Sequence, residues 1–232
     1  MKNNIVSLSG GKNSTAMLLQ MIELGYKITD IVFADTKLEF PEIYNHLNKL
    51  NKYCIEKIGI KITIIKTKYN FEDWFYGKWT SGQSKGEIRG FPRVKDPCYW
   101  SRESKYKILN NFCKGHRRYI GIAADESNRK QNKKDYEYPL IKWQWTEKKC
   151  RDYLQQYPKF YPSILRKFPR TGCWLCPKQS IKSLEILYNY YPRLWKKLKK
   201  YERDSPHNLR SNKSLNEYEK KFKANKDQTK LL

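Results

Sequence analysis

Two short strings hold the residue types from which chemistry could be built. Ser9-Gly10-Gly11-Lys12-Asn13-Ser14-Thr15 sets two glycines beside a lysine and several polar side chains. Glycines let the backbone turn tightly and bring successive N–H groups close to an anion. A helix starting there aims its positive end at the same point, with Lys12, Ser14 and Thr15 adding donors. A glycine-rich turn with no ligand is the plain alternative. The second string is Cys173-Trp174-Leu175-Cys176, and two thiolates at this spacing can share a metal or form a redox disulfide. Cys98-Tyr99-Trp100-Ser101 reads as half of another such pair, with Ser101 in place of the second cysteine. Cys98, Cys173 and Cys176 are therefore candidate ligands of one centre, iron–sulfur or zinc; a zinc knuckle completed by another residue such as Cys113 or His116, or no metal at all, is the plain alternative. Cys54 and Cys150 fall on apolar helical faces and read as core.

The first string needs a strand before it and a helix after it, and the periodicity supplies both. Residues 5–9 read as a short apolar strand and residues 14–24 as a helix ended by Gly25. Strands follow at 28–34, 60–65 and 119–123, with helices at 41–58, opened by Pro41, and 101–113. Alternation of this kind predicts an α/β fold, a doubly wound parallel sheet with helices on both faces. From residue 146 onward the chain reads as helical, at 146–157, 180–191 and 192–204. The expected organisation is a nucleotide-binding domain at 1–145 with a basic insertion at about 77–97. A helical region at 146–204 carries the Cys-x-x-Cys string, and a basic polar tail or marginal helix fills 205–232.

Charge narrows the partners. The 232 residues hold 48 Lys and Arg against 23 Asp and Glu, a formal net charge of +25. Part of the lysine excess fits compositional drift, since Asn, Ile and Tyr are abundant too. An excess this large still favours polyanions, and tRNA or DNA is the expected partner. Between Gly77 and Arg118 there are eleven Lys or Arg against three acids. Lys85, Arg89, Arg93 and Lys95 are the candidate nucleic-acid contacts there, with Trp79, Phe91, Tyr99 and Trp100 interleaved for base stacking. A second basic group on 192–204 reads as a solvated helix face. No run approaches the ~18 apolar residues of a membrane helix. Met1 leads almost at once into the first strand, so the expectation is a cytoplasmic protein without a signal peptide or membrane partner.

Three blocks resemble the phosphoadenosine phosphosulfate (PAPS) reductase branch of the PP-loop ATP pyrophosphatases. Ser9-Gly10-Gly11-Lys12-Asn13-Ser14 is similar to their pyrophosphate loop. Asp35-Thr36-Lys37-Leu38-Glu39-Phe40-Pro41-Glu42 is similar to their Asp-Thr-Gly-x-x-Phe-Pro-Glu segment. Gly121-Ile122-Ala123-Ala124-Asp125-Glu126-Ser127-Asn128-Arg129 is similar to their Gly-x-Arg-x-x-Glu-Ser-x-x-Arg block. The resemblance implies ATP and Mg²⁺ as cofactors and a nucleotide held by residues 9–15, Asp35, Gly121 and Glu126. It also implies Lys12, Ser14, Asp35 and Arg129 as the residues that act on it. Asn13 stands where the family carries Asp, Lys37 where it carries Gly, and Ala123 where it often carries Arg.

The loop is of the ATP-hydrolysing kind, and no cysteine follows Cys176 to match the reductases' C-terminal nucleophile. The favoured reading is adenylation of an acceptor, RNA or DNA, for sulfur transfer, with a sulfur-donor protein as a further partner. A reductase acting on a small sulfonucleotide is the alternative, and a catalytically inactive nucleotide- and nucleic-acid-binding relative is the third reading.

Overall fold

The computed structural model describes residues 2–92 and 98–229. Its sheet has five strands: β1 Asn4–Leu8, β2 Asp30–Asp35, β3 Ile62–Lys66, β4 Arg117–Ile120 and the two-residue β5 Tyr136–Glu137. They run parallel in the order β3-β2-β1-β4-β5. The chain passes outward from β1 through α1 (Lys12–Glu23) to β2 and through α2 (Pro41–Ile58) to β3. It then returns across β1 to make β4. Ligands in such sheets gather beyond the C-terminal strand ends where this reversal opens a crevice. The expected α/β architecture is the one observed, with β5 added at the edge.

Local chemistry explains the boundaries. Helix α2 begins with Pro41 at its first turn and ends at Gly59, whose φ of 70° closes it in the left-handed conformation. Its buried face, Ile43, His46, Leu47, Leu50 and Cys54, follows helical spacing. The expected helix at 101–113 is instead three pieces: α4 (Tyr99–Ser101), a wider π turn at Arg102–Tyr106 and α5 (Lys107–Phe112). From α5, Leu109 packs with Cys113 on Ile5, Val32 and Ala34 of one sheet face.

The chain divides into two compact units, Met1–Thr67 with Glu103–Thr171, and Lys68–Arg102 with Gly172–Leu232. This differs from the linear division expected at residue 145, because the second unit draws a segment from the middle of the chain. The first unit holds the sheet, α6 (Pro139–Lys142) and α7 (Glu147–Gln155), which is capped by Thr146. The second holds α3 (Phe71–Tyr76), α8 (Ile181–Tyr190), α9 (Pro192–Asp204) and α10 (Leu215–Thr229). An aromatic core closes it, with Phe71 edge-on to Trp100 and Tyr201 at 5.4 and 5.5 Å, and Phe75 4.9 Å from Tyr201. The stretch 205–229 is more than a tail. Leu215, Tyr218 and Phe222 of α10 are each at most 2% exposed, and that helix packs on α8 and α9. Among the described residues, no helix is long and apolar enough to cross a membrane.

Candidate functional site

The loop at residues 9–15 joins β1 to α1 beyond the C-terminal end of the sheet. Gly10 sits at φ 72°, a region costly for any residue with a Cβ. Gly11 is the N-cap of the twelve-residue α1, and no side chain caps that end. The first N–H groups of α1 are thus available to an anion, at the positive end of the helix. Ser14 stiffens the turn by donating from Oγ to the Gly11 carbonyl at 3.1 Å, and its Oγ lies 2.9 Å from Ser9 Oγ. Thr15 Oγ1 lies 2.9 Å from His46 Nε2, and burial holds this imidazole down at about 4, with Lys49 adding to the effect.

Gly121, just past β4, shows why its block carries glycine. A Cβ there would meet Ser14 Cα at 2.8 Å and Ser14 N at 2.9 Å, so the strand end presses on the backbone of α1. The turn Ala124–Arg129 then brings Glu126 to the loop, where Asn13 Nδ2 donates to its Oε2 at 3.1 Å. Lys12 pairs with Glu147 at the start of α7, and Arg129 pairs with Glu126. Glu147 lies 135 residues from Lys12, and no pattern along the chain links them. Asn13 Oδ1 is buried without a hydrogen-bond partner beside these carboxylates. A hard oxygen set of this kind would suit Mg²⁺, and Asn13 Oδ1 and Glu126 are the groups that would hold it.

At the end of β2, Asp35 is 4% exposed, accepts from Lys37 N and Tyr44 Oη at 2.8 Å each, and lies 3.7 Å from Lys66. Lys37 has φ 60°, the conformation that suits the glycine of the resembling segment. Burial pushes the Glu39 carboxyl upward, against the Lys105 charge and the Thr36 hydroxyl, which donates at 2.8 Å. Ala123, where the resembling block often carries Arg, is fully buried.

Both cysteine strings lie in the second unit. Cys173 and Cys176 form a turn, Cys176 N donating to Cys173 O at 3.1 Å. Cys98 caps α4 by accepting from Ser101 N at 3.3 Å. Burial raises its thiol, the Ser101 N–H opposes this, and the Cys176 charge adds a smaller rise. Among the described residues, no three His, Cys, Asp or Glu side chains form a group able to hold a metal ion. The centre expected at Cys98, Cys173 and Cys176 is not among such groups. Cys113 and His116 belong to the sheet unit, and Cys54 and Cys150 are fully buried.

Several of the basic residues are engaged structurally. Arg89 stacks 5.9 and 5.8 Å from the Trp74 and Trp79 ring centres and donates to the Trp74 carbonyl at 3.3 Å. Phe91 and Trp100, expected to stack on bases, are each 1% exposed in the core of the second unit. Lys85 is exposed, whereas Arg93 and Lys95 lie outside the described residues. On α9, Lys197, Lys199 and Lys200 pair with Glu72, Glu219 and Asp204, in keeping with a solvated face.

Two uncharacterized proteins of Methanocaldococcus jannaschii are 27% identical to the chain over 218 residues and 26% over 227, each covering 88% of it. The chain spans 43% and 49% of their lengths, less than half of each. Among solved structures, a PAPS reductase from Candida auris in a phosphate complex matches 74% of this chain and 81% of its own, with TM-score 0.48 and 17% identity. The U34-tRNA thiolase NcsA from Methanococcus maripaludis, with its 4Fe–4S cluster, matches 87% of this chain and 72% of its own, with TM-score 0.48 and 16% identity. The phosphoadenosine phosphosulfate reductase domain model matches residues 3–179, which takes in the glycine loop, both later blocks and the Cys-x-x-Cys string. By that match, the chain belongs to the PAPS reductase domain family.

Proposed function

We propose that the protein binds ATP with Mg²⁺ at residues 9–15 and adenylates an acceptor, RNA or DNA, for sulfur transfer. The observation that carries this reading is the uncapped start of α1 behind Gly10 and Gly11, with Lys12 at its first position. An acceptor oxygen attacks the α-phosphorus, the bond to the bridging oxygen breaks, and pyrophosphate leaves with the electron pair. The N–H groups of α1 and Lys12 stabilise the charge on that leaving group, and Lys12 exchanges Glu147 for phosphate oxygen. Mg²⁺ supplies further neutralisation of the phosphates when bound. A sulfur nucleophile then displaces AMP, and the thiols of Cys98, Cys173 and Cys176 are the chain's own sulfur-handling groups. The +25 charge supports a polyanionic acceptor.

The test is AMP and pyrophosphate release from ATP, with and without tRNA or DNA, in the native protein and in Gly11→Leu. The expected result is acceptor-dependent AMP formation that Gly11→Leu abolishes, because a side chain blocks backbone approach to the phosphates. The family match supports a second reading, reduction of a small sulfonucleotide by a cysteine thiol. Turnover of PAPS to sulfite, with no AMP formed from ATP, selects that reading instead.

A further inference from the structure

At the N-terminal ends of β4 and β5, opposite the loop at 9–15, lies a cavity of about 210 Å³. Its lining includes Asn110, Lys114, Lys133, Lys134 and Tyr136. Behind it, Arg118 of β4 is 6% exposed, yet every partner of its guanidinium is neutral. Nη1 donates to Asn110 Oδ1 at 3.1 Å and Tyr136 Oη at 3.3 Å, and Nη2 donates to Ser7 Oγ at 3.1 Å. Nε has no hydrogen-bond partner, and among the described residues no carboxylate lies within 4.0 Å of this side chain. A buried cation without a counter-charge is costly, so an arrangement that retains one points to an anion that completes it.

The nearby acids are committed elsewhere. Asp30 shares the sheet face but is separated by β1, and its Oδ2 accepts from Asn3 and Thr29. Asp135, which also lines the cavity, pairs with Lys2. Tyr136 gathers the positive charge instead. Its hydroxyl accepts from Arg118 and from Lys133 Nζ at 3.4 Å, while Lys133 Nζ stands 5.0 Å from its ring centre. That hydroxyl donates to Asn110 Oδ1 at 3.0 Å, which leaves the Asn110 amide NH₂ as a further donor.

We propose that this cavity is a second anion site, distinct from the nucleotide loop, for a doubly charged tetrahedral oxyanion such as phosphate or sulfate. Three lysines line the cavity against one paired acid, and Arg118 stands behind the lining residues Asn110 and Tyr136, which favours a dianion over chloride. The volume, several times the ~30 Å³ share of one water, admits a tetrahedral ion with its own hydration.

The experiment measures thermal unfolding of the full chain in rising sodium phosphate or sulfate, with sodium chloride holding ionic strength constant. Three variants accompany the native protein: Lys133→Glu with Lys134→Glu, the charge-matched control Lys52→Glu with Lys61→Glu, and Gly11→Leu. The expected result is a saturable rise in Tm beyond that in chloride. It weakens at least tenfold in apparent affinity in the Lys133/Lys134 variant and persists in the other two. The proposal is overturned if phosphate and sulfate do no more than chloride, or if the Lys133/Lys134 variant responds like the native protein. It is overturned equally if the control loses as much, or if Gly11→Leu removes the whole effect, which would assign the ion to the nucleotide loop.

Discussion

At the C-terminal ends of the strands Lys12 meets Glu147 and Arg129 meets Glu126, whereas at the N-terminal ends Arg118 is held by a serine, an asparagine and a tyrosine. Both ends are rich in cations, but Arg118, unlike Lys12 and Arg129, has no carboxylate partner. The Lys12 side chain is largely buried, but Glu147 is 41% exposed and can turn to solvent, so phosphate can take its place on Lys12. Arg118 is buried and has no carboxylate to exchange. The lesson is that sequence charge alone does not say where an anion binds; the partners already present decide it.

Breaking the neutral groups of the loop end should have the largest effect. An unfolded imidazole takes its proton near 6.5, and His46 in the fold takes it only at about 4. Stability from the neutral His46–Thr15 contact is therefore complete above about pH 6.5 and is lost as pH falls toward 4, by up to about 3 kcal/mol. Urea unfolding of the native protein and His46→Gln between pH 7 and 4.5 checks this. Equal losses in both would place the acid sensitivity elsewhere.

Gly121→Ala tests whether the loop end depends on close backbone approach. The added methyl meets Ser14 backbone atoms under 3.0 Å away, and overpacking of this kind costs about 1–3 kcal/mol. Calorimetry should show a lowered Tm and weaker ATP binding, and an unchanged Tm would mean that α1 moves freely on the sheet. The smallest effect sharpens the comparison directly. Glu147→Gln releases Lys12, so ATP should bind up to about fivefold more tightly by equilibrium titration. Weaker binding would show that Glu147 assists the nucleotide rather than competing with it.

Much of this was legible in the residues, for reasons that differ by element. Helix α2 was readable to the residue because Pro41 and Gly59 mark its ends and five buried side chains keep one period. The glycine loop was readable because no other residue type suits Gly10, and the left-handed Lys37 explains why the resembling segment has glycine there. Helix α10 was obscured by its polar composition, although Leu215, Tyr218 and Phe222 are spaced by three and four. Glu147 and Arg118 were beyond reach for another reason: one acts across 135 residues, and the other looked like surface charge until its burial was known. The setting of Arg89 was hidden in the same way, since nothing local shows that a loop arginine lies between two tryptophans.

The discontinuous second unit has a consequence for how the chain is made. Phe71, Phe75 and Trp100 leave the ribosome early, but Tyr201, the ring on which Phe71 and Phe75 pack, is 99 residues behind the end of their segment at Arg102. At translation rates of about 5–20 residues per second, that interval lasts roughly 5–20 s. For that time a cluster of aromatic side chains waits without its core while the sheet of the first unit completes. The vulnerable species in the life of this protein is a nascent one, and chaperone occupancy on the ribosome should peak between the synthesis of Trp100 and that of Tyr201.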